Sequence, residues 1–245
     1  MAFISTMMTN PGEIPLYWGF YIGDDDYKRK RYCLICNAFK PERSHHCSVC
    51  NVCVLNMDHH CPWVDNCIGF YNRKFFMQLL IFVSILTIYV DITEFVFILD
   101  ICIKLFKKQI KYSELFRAAL VIICYLAVLI FSFIITMFLK FHIKLVLTNS
   151  TTIESLDVEH KKDYAKFNIG KKENWEQVFG IDSLLWFFPI PTKRGRPEGD
   201  GLTWKTNENT LDTNIKLDEK FNKAYGSNFD TNFNSNKNPF SADTK

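Results

Sequence analysis

Two long apolar runs dominate the pattern of hydrophobic and polar positions along the chain. The first covers 75–99 and carries Asp91 and Glu94 towards its end, whereas the second, 118–139, contains no charged residue. About 20 apolar residues are enough for a helix to cross the ~30 Å hydrocarbon core of a bilayer, so both runs predict transmembrane helices. We place the two spans at about 75–98 and 115–139.

The acidic residues limit how far the first span can extend. Charge at bilayer depth is costly, so the chain after Asp91 is expected to run along the far interface as an extension, 92–106. A longer, tilted span is the alternative.

The pattern divides the chain into five segments. A linker is followed by a module rich in cysteine and histidine, a helical hairpin, a polar segment that keeps several aromatic residues, and a tail rich in Asn, Lys, Asp and Thr. The tail has too few aliphatic residues to offset the entropy of ordering and is predicted to be disordered. The bounds are 1–30, 31–74, 75–147, 148–201 and 202–245.

The cysteine-rich module has the spacing of a zinc protein. Cys33-x2-Cys36 and Cys47-x2-Cys50 are zinc-knuckle pairs, in which a tight turn aims two thiolates at one ion. Disulfides are the competing explanation, but the number of cysteines is odd and no secretory signal is visible. A module of about 40 residues is too small for a good apolar core, so metal is expected to hold it together. Its candidate ligands are Cys33, Cys36, Cys47, Cys50, Cys53, Cys61, Cys67, His45, His46, His59 and His60.

Counting ligands leaves one cysteine over. Two tetrahedral sites need eight ligands, and six cysteines with two histidines would fill two Cys3His sites. Spacing nominates Cys61 weakly as the spare cysteine, because it would project away from an ion bound by His60. His59 could then take its proton and Asp58 could orient that imidazole, as in a Cys-His-Asp triad. The alternative is that Cys61 is one more ligand or an inert thiol.

Zinc and reduced thiols indicate that the module is cytosolic. Two spans put both end regions on the same side of the membrane, with the Lys-rich connecting loop on the other. The net charge of +3 is small, and basic residues divide almost evenly between the two sides, so the positive-inside rule is equivocal. Nucleic acid is not expected as a partner, because the module lacks a dedicated basic recognition helix. The fold class is therefore an α-helical membrane protein, a two-helix transmembrane hairpin with a small cytosolic double-zinc domain and a disordered C-terminal tail.

One stretch of the chain is close to a known family. The segment 33–76 contains Asp58-His59-His60-Cys61 and resembles the cysteine-rich domain of the DHHC protein S-acyltransferases, or palmitoyltransferases. Further matches are "TNPGEIP" at 9–15, "TTIE" at 151–154, "NWEQVFG" at 174–180 and "GDG" at 199–201. The resemblance covers most of 9–201.

The resemblance assigns roles to individual residues. It implies that Cys61 is the acylated nucleophile, His59 the general base and Asp58 the group that polarises it. Thr152 would help to hold Asp58, and Asn174 would support the docking of the C-terminal motif. The implied ligands are Cys33, Cys36, His46 and Cys53 for one zinc ion, and Cys47, Cys50, His60 and Cys67 for the other.

The implied function is palmitoyl transfer from acyl-CoA to cysteine thiols of membrane-associated proteins. The expected location is a Golgi, endoplasmic reticulum or plasma membrane. The acyl chain would lie between the helices, with Trp63 at the entrance. Lys40 and Arg43 are candidates for binding the CoA phosphates, and a solvated basic face is the alternative for both.

The chain departs from the family in one respect. The family usually has four transmembrane helices, two of them before the cysteine-rich domain, whereas this chain begins at what looks like the linker after the second. Part of the acyl-binding wall would then be lacking. The alternative function is a catalytically impaired, membrane-anchored zinc scaffold that binds proteins without turnover.

Overall fold

The computed structural model describes residues 1–16, 18–19, 31–109, 111–190 and 195–207. Most of the predicted tail, from 208 onward, and the later part of the predicted linker lie outside the described residues. The helices are α1 (Ala2–Met8), α2 (Arg73–Phe106), α3 (Tyr112–Leu147), α4 (Thr152–Leu156), α5 (Lys161–Tyr164) and α6 (Lys171–Phe179), with 3-10 turns at Ala165–Phe167 and Ser183–Trp186. The strands are β1 (Tyr32–Cys33), β2 (Ala38–Phe39), β3 (His45–Cys47), β4 (Val52–Val54), β5 (His59–Cys61) and β6 (Asn66–Ile68).

The two helices of the hairpin, α2 and α3, are longer than the predicted spans of about 75–98 and 115–139. Both helices are long and apolar enough to cross a membrane by length and composition. Helix α2 runs without a break through Asp91 to Phe106, so the predicted extension 92–106 is helical and continuous with the first span. With 34 residues it extends for about 50 Å, well beyond the ~30 Å of a bilayer core. Because only 11% of the most apolar window of α3 is buried, its apolar side chains need a covering that the described chain does not supply.

Three short β-hairpins precede α2 and repeat one another. Each begins its turn at a cysteine, and the three cysteines, Cys33, Cys47 and Cys61, are spaced fourteen residues apart. The register is the same in all three, with the pairs Cys33 and Ala38, Cys47 and Val52, and Cys61 and Asn66. A left-handed residue closes each turn, namely Asn37 (φ 52°), Asn51 (φ 56°) and Asp65 (φ 46°). Asn and Asp tolerate this conformation better than other side-chain-bearing residues, so the turn chemistry repeats with the backbone.

The segment before the hairpins packs on the third of them. Helix α1 lies within the segment predicted as a linker, and Asn66 Nδ2 donates to the carbonyl oxygens of Thr6 (3.3 Å), Met7 (3.0 Å) and Thr9 (3.0 Å). Gly69 permits this approach. A Cβ atom there would lie 2.6 Å from Val54 Cγ1 and 2.7 Å from a backbone oxygen, which leaves no space for a side chain.

A buried ion pair fastens the C-terminal segment to the cysteine-rich module. Arg43 is 1% exposed, and its Nε and Nη2 donate to the two carboxylate oxygens of Glu154 at 2.7 and 2.8 Å. The guanidinium also donates to the side chain and backbone of Asn149 and lies 4.4 and 4.3 Å from the ring centres of Phe167 and Trp204. Trp204 is itself buried, so packing reaches into the segment that was predicted to be disordered from 202 onward.

The same carboxylate sets the start of α4. Glu154 accepts from the backbone N–H of Thr151 at 2.9 Å, and the Thr151 hydroxyl accepts from the backbone N–H of Glu154, which forms a capping box. Arg43 therefore fixes the helix end that carries Thr152.

Polar side chains in the first turn of α2 bind two further points of the C-terminal segment. Arg73 donates to the Ser150 carbonyl at 2.5 Å, and Lys74 donates to the Gly195 carbonyl at 2.8 Å. Both side chains are buried, so the N-terminal turn of α2 is a polar attachment point for the C-terminal segment inside the protein.

Helix α6, which contains the NWEQVFG motif except for its last residue, Gly180, docks on the end of α3. Asn174 is fully buried and donates to the Leu147 carbonyl at 2.8 Å and to the Asn168 side chain at 2.7 Å. Trp175 stacks on Phe179 with ring centres 4.2 Å apart. Asn174, for which the resemblance implied a supporting role, therefore donates to a carbonyl that α3 leaves unpaired at its C-terminus.

Substitution of Arg43 by Met should destabilise the fold strongly. The change leaves the Glu154 carboxylate buried without its partner, and breaking a buried pair in this way costs ~3–5 kcal/mol. Thermal unfolding in detergent measures the loss of stability in Arg43→Met and in Glu154→Gln. The double variant then gives the coupling free energy between the two side chains. Lys40→Met is the matched control, since Lys40 is half-buried in the same segment. An Arg43→Met protein as stable as the Lys40→Met control would contradict this role.

Candidate functional site

Two clusters of sulfur and nitrogen atoms lie between consecutive hairpins. In each, the ligand atoms of three cysteines and one histidine are within 4.8 Å of one another. His46 Nδ1 is 3.2, 3.6 and 3.8 Å from the sulfurs of Cys36, Cys33 and Cys53. In the second cluster, His60 Nδ1 is 3.4, 3.7 and 3.8 Å from the sulfurs of Cys50, Cys67 and Cys47.

Both donor sets fit tetrahedral zinc. With Zn–S near ~2.3 Å and Zn–N near ~2.0 Å, neighbouring ligand atoms should be about 3.5–3.8 Å apart, close to the distances found. The backbone N–H groups of Cys36 and Cys50 donate to the sulfurs of Cys33 (3.4 Å) and Cys47 (3.3 Å), as in zinc knuckles. The described cysteines form no disulfide. The two clusters can therefore each hold a zinc ion.

Each cluster joins one hairpin to the next. The Cys-x2-Cys pair comes from the turn of one hairpin, and the histidine and third cysteine come from the two strands of the following one. In the third hairpin these strand ligands are His60 and Cys67, which are paired across the ladder. Cys61 belongs to neither cluster.

A second set of side chains lies on the other face of strand β5. His59 Nδ1 is 2.6 Å from Asp58 Oδ2, and Asp58 is completely buried. Thr152 donates twice to this carboxylate, from its backbone N–H (3.0 Å) and from its hydroxyl (2.8 Å). Arg73 Nη2 lies 3.5 Å from the other carboxylate oxygen, Asp58 Oδ1. Burial raises the pKa of Asp58, but the hydrogen bond with His59 and the charge of Arg73 outweigh it, so the carboxyl pKa lies well below its usual range.

The same environment sets the ionisation of His59 and Cys61. Burial lowers the pKa of His59, but the hydrogen bond to Asp58 and the nearby Cys61 raise it to about 9. Burial raises the pKa of the Cys61 thiol, whereas His59 and the backbone N–H groups of Trp63 and Val64 lower it by more. The arrangement therefore favours a thiolate beside an imidazolium, which is a reactive nucleophile next to its own proton donor.

A buried histidine that the sequence analysis did not select also belongs to this site. His142, on α3, is 1% exposed, and its ring centre is 5.8 Å from that of His59. Its ring contacts those of Phe76, Phe138 and Phe141, and its Nε2 has no hydrogen-bond partner among the described residues. A single histidine near the end of an apolar run gives little signal, because only the packing of α3 on the third hairpin brings it to the site.

The family comparison agrees with this geometry. The family model for the DHHC palmitoyltransferases matches residues 26–159, rather more than half of the chain. The chain belongs to the DHHC palmitoyltransferase family. The family assignment confirms the resemblance carried by the Asp58-His59-His60-Cys61 sequence.

Curated relatives from plants and animals extend the similarity beyond this domain. A probable protein S-acyltransferase 13 of Arabidopsis thaliana is 35% identical over 78% of this chain and 68% of its own length. The palmitoyltransferase ZDHHC20 of Homo sapiens is 33% identical over 82% of this chain and 54% of its own length. The palmitoyltransferase ZDHHC15 of Xenopus laevis is 41% identical over 71% of this chain and 49% of its own length. The chain therefore spans about half to two thirds of the length of these relatives.

The residues expected to bind substrate are not all in one place. Trp63 is 87% exposed at the tip of the third hairpin, where it is free to meet a ligand, and Lys40 is half-buried. Arg43 does not fit the expectation that it binds the CoA phosphates. Its guanidinium is buried and already bonded to Glu154 and Asn149, so the solvated basic face considered as the alternative does not describe it either.

The two adjacent histidines of the motif should respond differently to substitution. We expect His60→Ala to lose about one zinc ion per chain, because it removes one donor from the second cluster. His59→Ala should keep both ions, since its ring faces Asp58 and Cys61 instead. Zinc content measured by mass spectrometry on the purified proteins tests this division. Equal zinc loss in the two variants would show that it is wrong.

Proposed function

We propose that this chain transfers a long-chain fatty acyl group from acyl-CoA to cysteine thiols of proteins, through a thioester on Cys61. One observation carries the proposal. Among seven cysteines of one small module, Cys61 alone stands outside both ligand clusters, and it lies beside a histidine held by a buried carboxylate. Family membership supports the same chemistry, and the relatives' own names describe acyl and palmitoyl transfer.

The first half-reaction loads the enzyme. The Cys61 thiolate attacks the thioester carbonyl of acyl-CoA, and the tetrahedral intermediate collapses with cleavage of the bond to the CoA sulfur. CoA leaves as a thiolate and receives the proton held by His59, while Asp58 keeps the imidazole oriented. The products are acyl-Cys61 and free CoA, so the step is a thioester exchange that needs no oxidant.

The second half-reaction delivers the acyl group. Neutral His59 accepts the proton of a cysteine thiol on the protein substrate, and that thiolate attacks acyl-Cys61. Cys61 leaves as a thiolate beside the imidazolium, which restores the starting state. Each step exchanges one thioester for another and is nearly neutral in energy, so the principal tasks are to form a thiolate and to position the partners.

Zinc would have a structural role in this scheme. All four positions of each donor set are occupied by protein atoms, so no coordination position is left for a substrate. When bound, the ions would link the hairpins and so hold the strand that carries the nucleophile.

The membrane arrangement follows from the same residues. We place the cysteine-rich module and the C-terminal segment on the cytosolic side, where thiols stay reduced, and the connection between α2 and α3 on the other. The acyl chain would lie among the helices and enter past Trp63. Its apolar tail needs such a covering, and Cys61 lies in an apolar cluster that includes Phe76 and Leu80 of α2.

Labelling with an alkyne fatty acid should identify Cys61 as the acyl carrier. The wild-type protein should acquire a label that hydroxylamine removes, and Cys61→Ser should acquire almost none. Cys124→Ser is the matched control, because Cys124 is an exposed thiol on α3 and should leave the label unchanged. Equal hydroxylamine-sensitive label on the wild type and Cys61→Ser would exclude this role. Absence of label from all three proteins, with zinc retained, would favour the zinc-scaffold alternative.

Removal of the Thr152 hydroxyl should slow loading without loss of metal. Thr152→Val deletes one of the two hydrogen bonds from this residue to Asp58. A hydrogen bond to a charged group contributes ~1.5–3 kcal/mol. If it acts fully in the transition state, the rate of acyl-enzyme formation should fall about ten- to hundredfold. Thr148→Val is the control, since the Thr148 hydroxyl bonds to Lys144 and not to the site. Unchanged loading by Thr152→Val would show that this hydroxyl does not support catalysis.

A further inference from the structure

Three aromatic rings meet at the general base proposed for acyl transfer. The ring centre of Phe76 lies 5.2 Å from that of His59 and 5.1 Å from that of His142, and the two imidazole centres are 5.8 Å apart. Phe76 meets each imidazole nearly edge-on, at 69° and 78°, which is a favoured geometry for aromatic pairs. Each of the three rings therefore packs on the other two.

His142 is held in this position by its own helix. It is 1% exposed, and its ring centre lies 4.5 Å from that of Phe138 and 5.3 Å from that of Phe141. Phe138 comes one helical turn before His142, so both side chains lie on the same face of α3. Leu139 of this turn packs against the apolar cluster that contains Cys61. The C-terminal part of α3 thus brings a closely packed, mostly apolar wall to the site.

Hydrogen bonding through Nε2 does not account for the position of the His142 ring. This nitrogen is buried and has no partner among the described residues. A polar atom buried in this way costs stability, so it does not hold the ring in place. The ring packs instead on His59 and on three phenylalanines. Packing on His59 is therefore the contribution that this ring can make to the site.

The His59 imidazole needs more support than its hydrogen bond provides. The 2.6 Å bond between His59 Nδ1 and Asp58 Oδ2 fixes one atom of the ring. The torsion that turns a histidine ring has broad minima, so a bond at one nitrogen leaves the plane of the ring loosely defined. The side chain of His59 is 24% exposed, and the rings of Phe76 and His142 cover part of the remainder. These two rings can therefore define its plane.

We propose that His142 is a positioning residue for the general base. Its ring, packed on His59 and on the phenylalanines of α3, fixes the plane in which His59 Nδ1 stays on Asp58 and the other nitrogen faces the Cys61 thiol. The inference rests on the proposed function, which assigns the proton transfers to His59. A reacting group displaced by about 1 Å can lose roughly a hundredfold in rate, so a side chain that touches no substrate affects the reaction through this contact.

The kinetics of Cys61 loading test the role with two variants of the purified full chain. His142→Ala should lower the rate constant of acyl-enzyme formation about ten- to a hundredfold. The KM for acyl-CoA and the zinc content should stay at their wild-type values, because His142 contacts neither substrate nor donor set. His142→Phe should load at close to the wild-type rate, since a phenyl ring can pack on His59 in the same way. A rate in His142→Phe as low as that in His142→Ala would overturn the proposal.

Val146→Ala is the control for a merely structural effect. Val146 is fully buried on the same helix, but it packs in a different cluster with Met77, Val178 and Phe179. Its truncation should lower the thermal stability as His142→Ala does and leave the loading rate unchanged. Equal loading rates in His142→Ala and Val146→Ala would contradict the positioning role. If His142→Ala loses its zinc, His142→Leu decides the question, because leucine fills the space without a flat ring and should load as slowly.

The hydrogen bond between His59 and Asp58 gives a second measurement that needs no acyl transfer. A bond of 2.6 Å should move the Nδ1 proton of His59 far downfield in the proton NMR spectrum, and its absence from His59→Ala assigns the resonance. The resonance should persist in His142→Phe and Val146→Ala and should broaden or vanish in His142→Ala. An unchanged resonance in His142→Ala would overturn the proposal. If the resonance responds as expected but the wild type acquires no label on Cys61, the proposed function fails and the positioning of His59 stands.

Discussion

Coordination across consecutive hairpins is the constraint on which the rest of the site depends. Strands of two or three residues cannot form stable hairpins in isolation, and each donor set joins the turn of one hairpin to the strands of the next. In strand β5, side chains alternate between the two faces, so His60 points to the second donor set while His59 and Cys61 point away from it. Metal coordination by His60 would therefore fix the directions of the His59 and Cys61 side chains on either side of it.

A network of buried charged side chains joins the hairpins, which the donor sets link to one another, to the rest of the fold. Asp58, Arg73, Arg43 and Glu154 are all at most 2% exposed, and they link the cysteine-rich module, the start of α2 and the start of α4. Isolated charges would be costly there, so each requires its partner in place. The C-terminal segment is consequently part of the site, because the helix end held by Arg43 is the one that offers Thr152 to Asp58.

Sequence reasoning was most effective where spacing reports chemistry directly. The Cys-x2-Cys pairs indicated zinc binding and the two apolar runs indicated long helices. The family was identified from the residues around Cys61, and the resemblance supplied the two complete ligand sets. Sequence reasoning was least effective where contacts between distant segments decide whether a residue is buried. Arg43 was expected at the cytosolic surface as a candidate for binding the CoA phosphates, whereas it is buried in an ion pair. The chain after Asp91 was expected to run along the far interface because charge at bilayer depth is costly, whereas α2 continues through it. His142 was not selected because only the packing of α3 gives it neighbours. The third hairpin was not recognised as a repeat because Val64 has replaced the second cysteine, although the backbone register is unchanged.

The repeat also suggests why a zinc-binding module can hold a reactive thiol. Metal binding and nucleophilic attack both require a stabilised thiolate. In the first two hairpins a backbone N–H group of the turn donates to the cysteine sulfur, and at Cys61 the pKa of the thiol is lowered chiefly by His59 against the effect of burial. In the first two hairpins, the strands of a following hairpin complete a donor set. Helix α2 follows the third hairpin instead, and its Phe76 belongs to the same apolar cluster as Cys61. With Val64 at the position of the second cysteine and a helix in place of a further hairpin, Cys61 belongs to neither donor set, and its sulfur is not committed to a metal site.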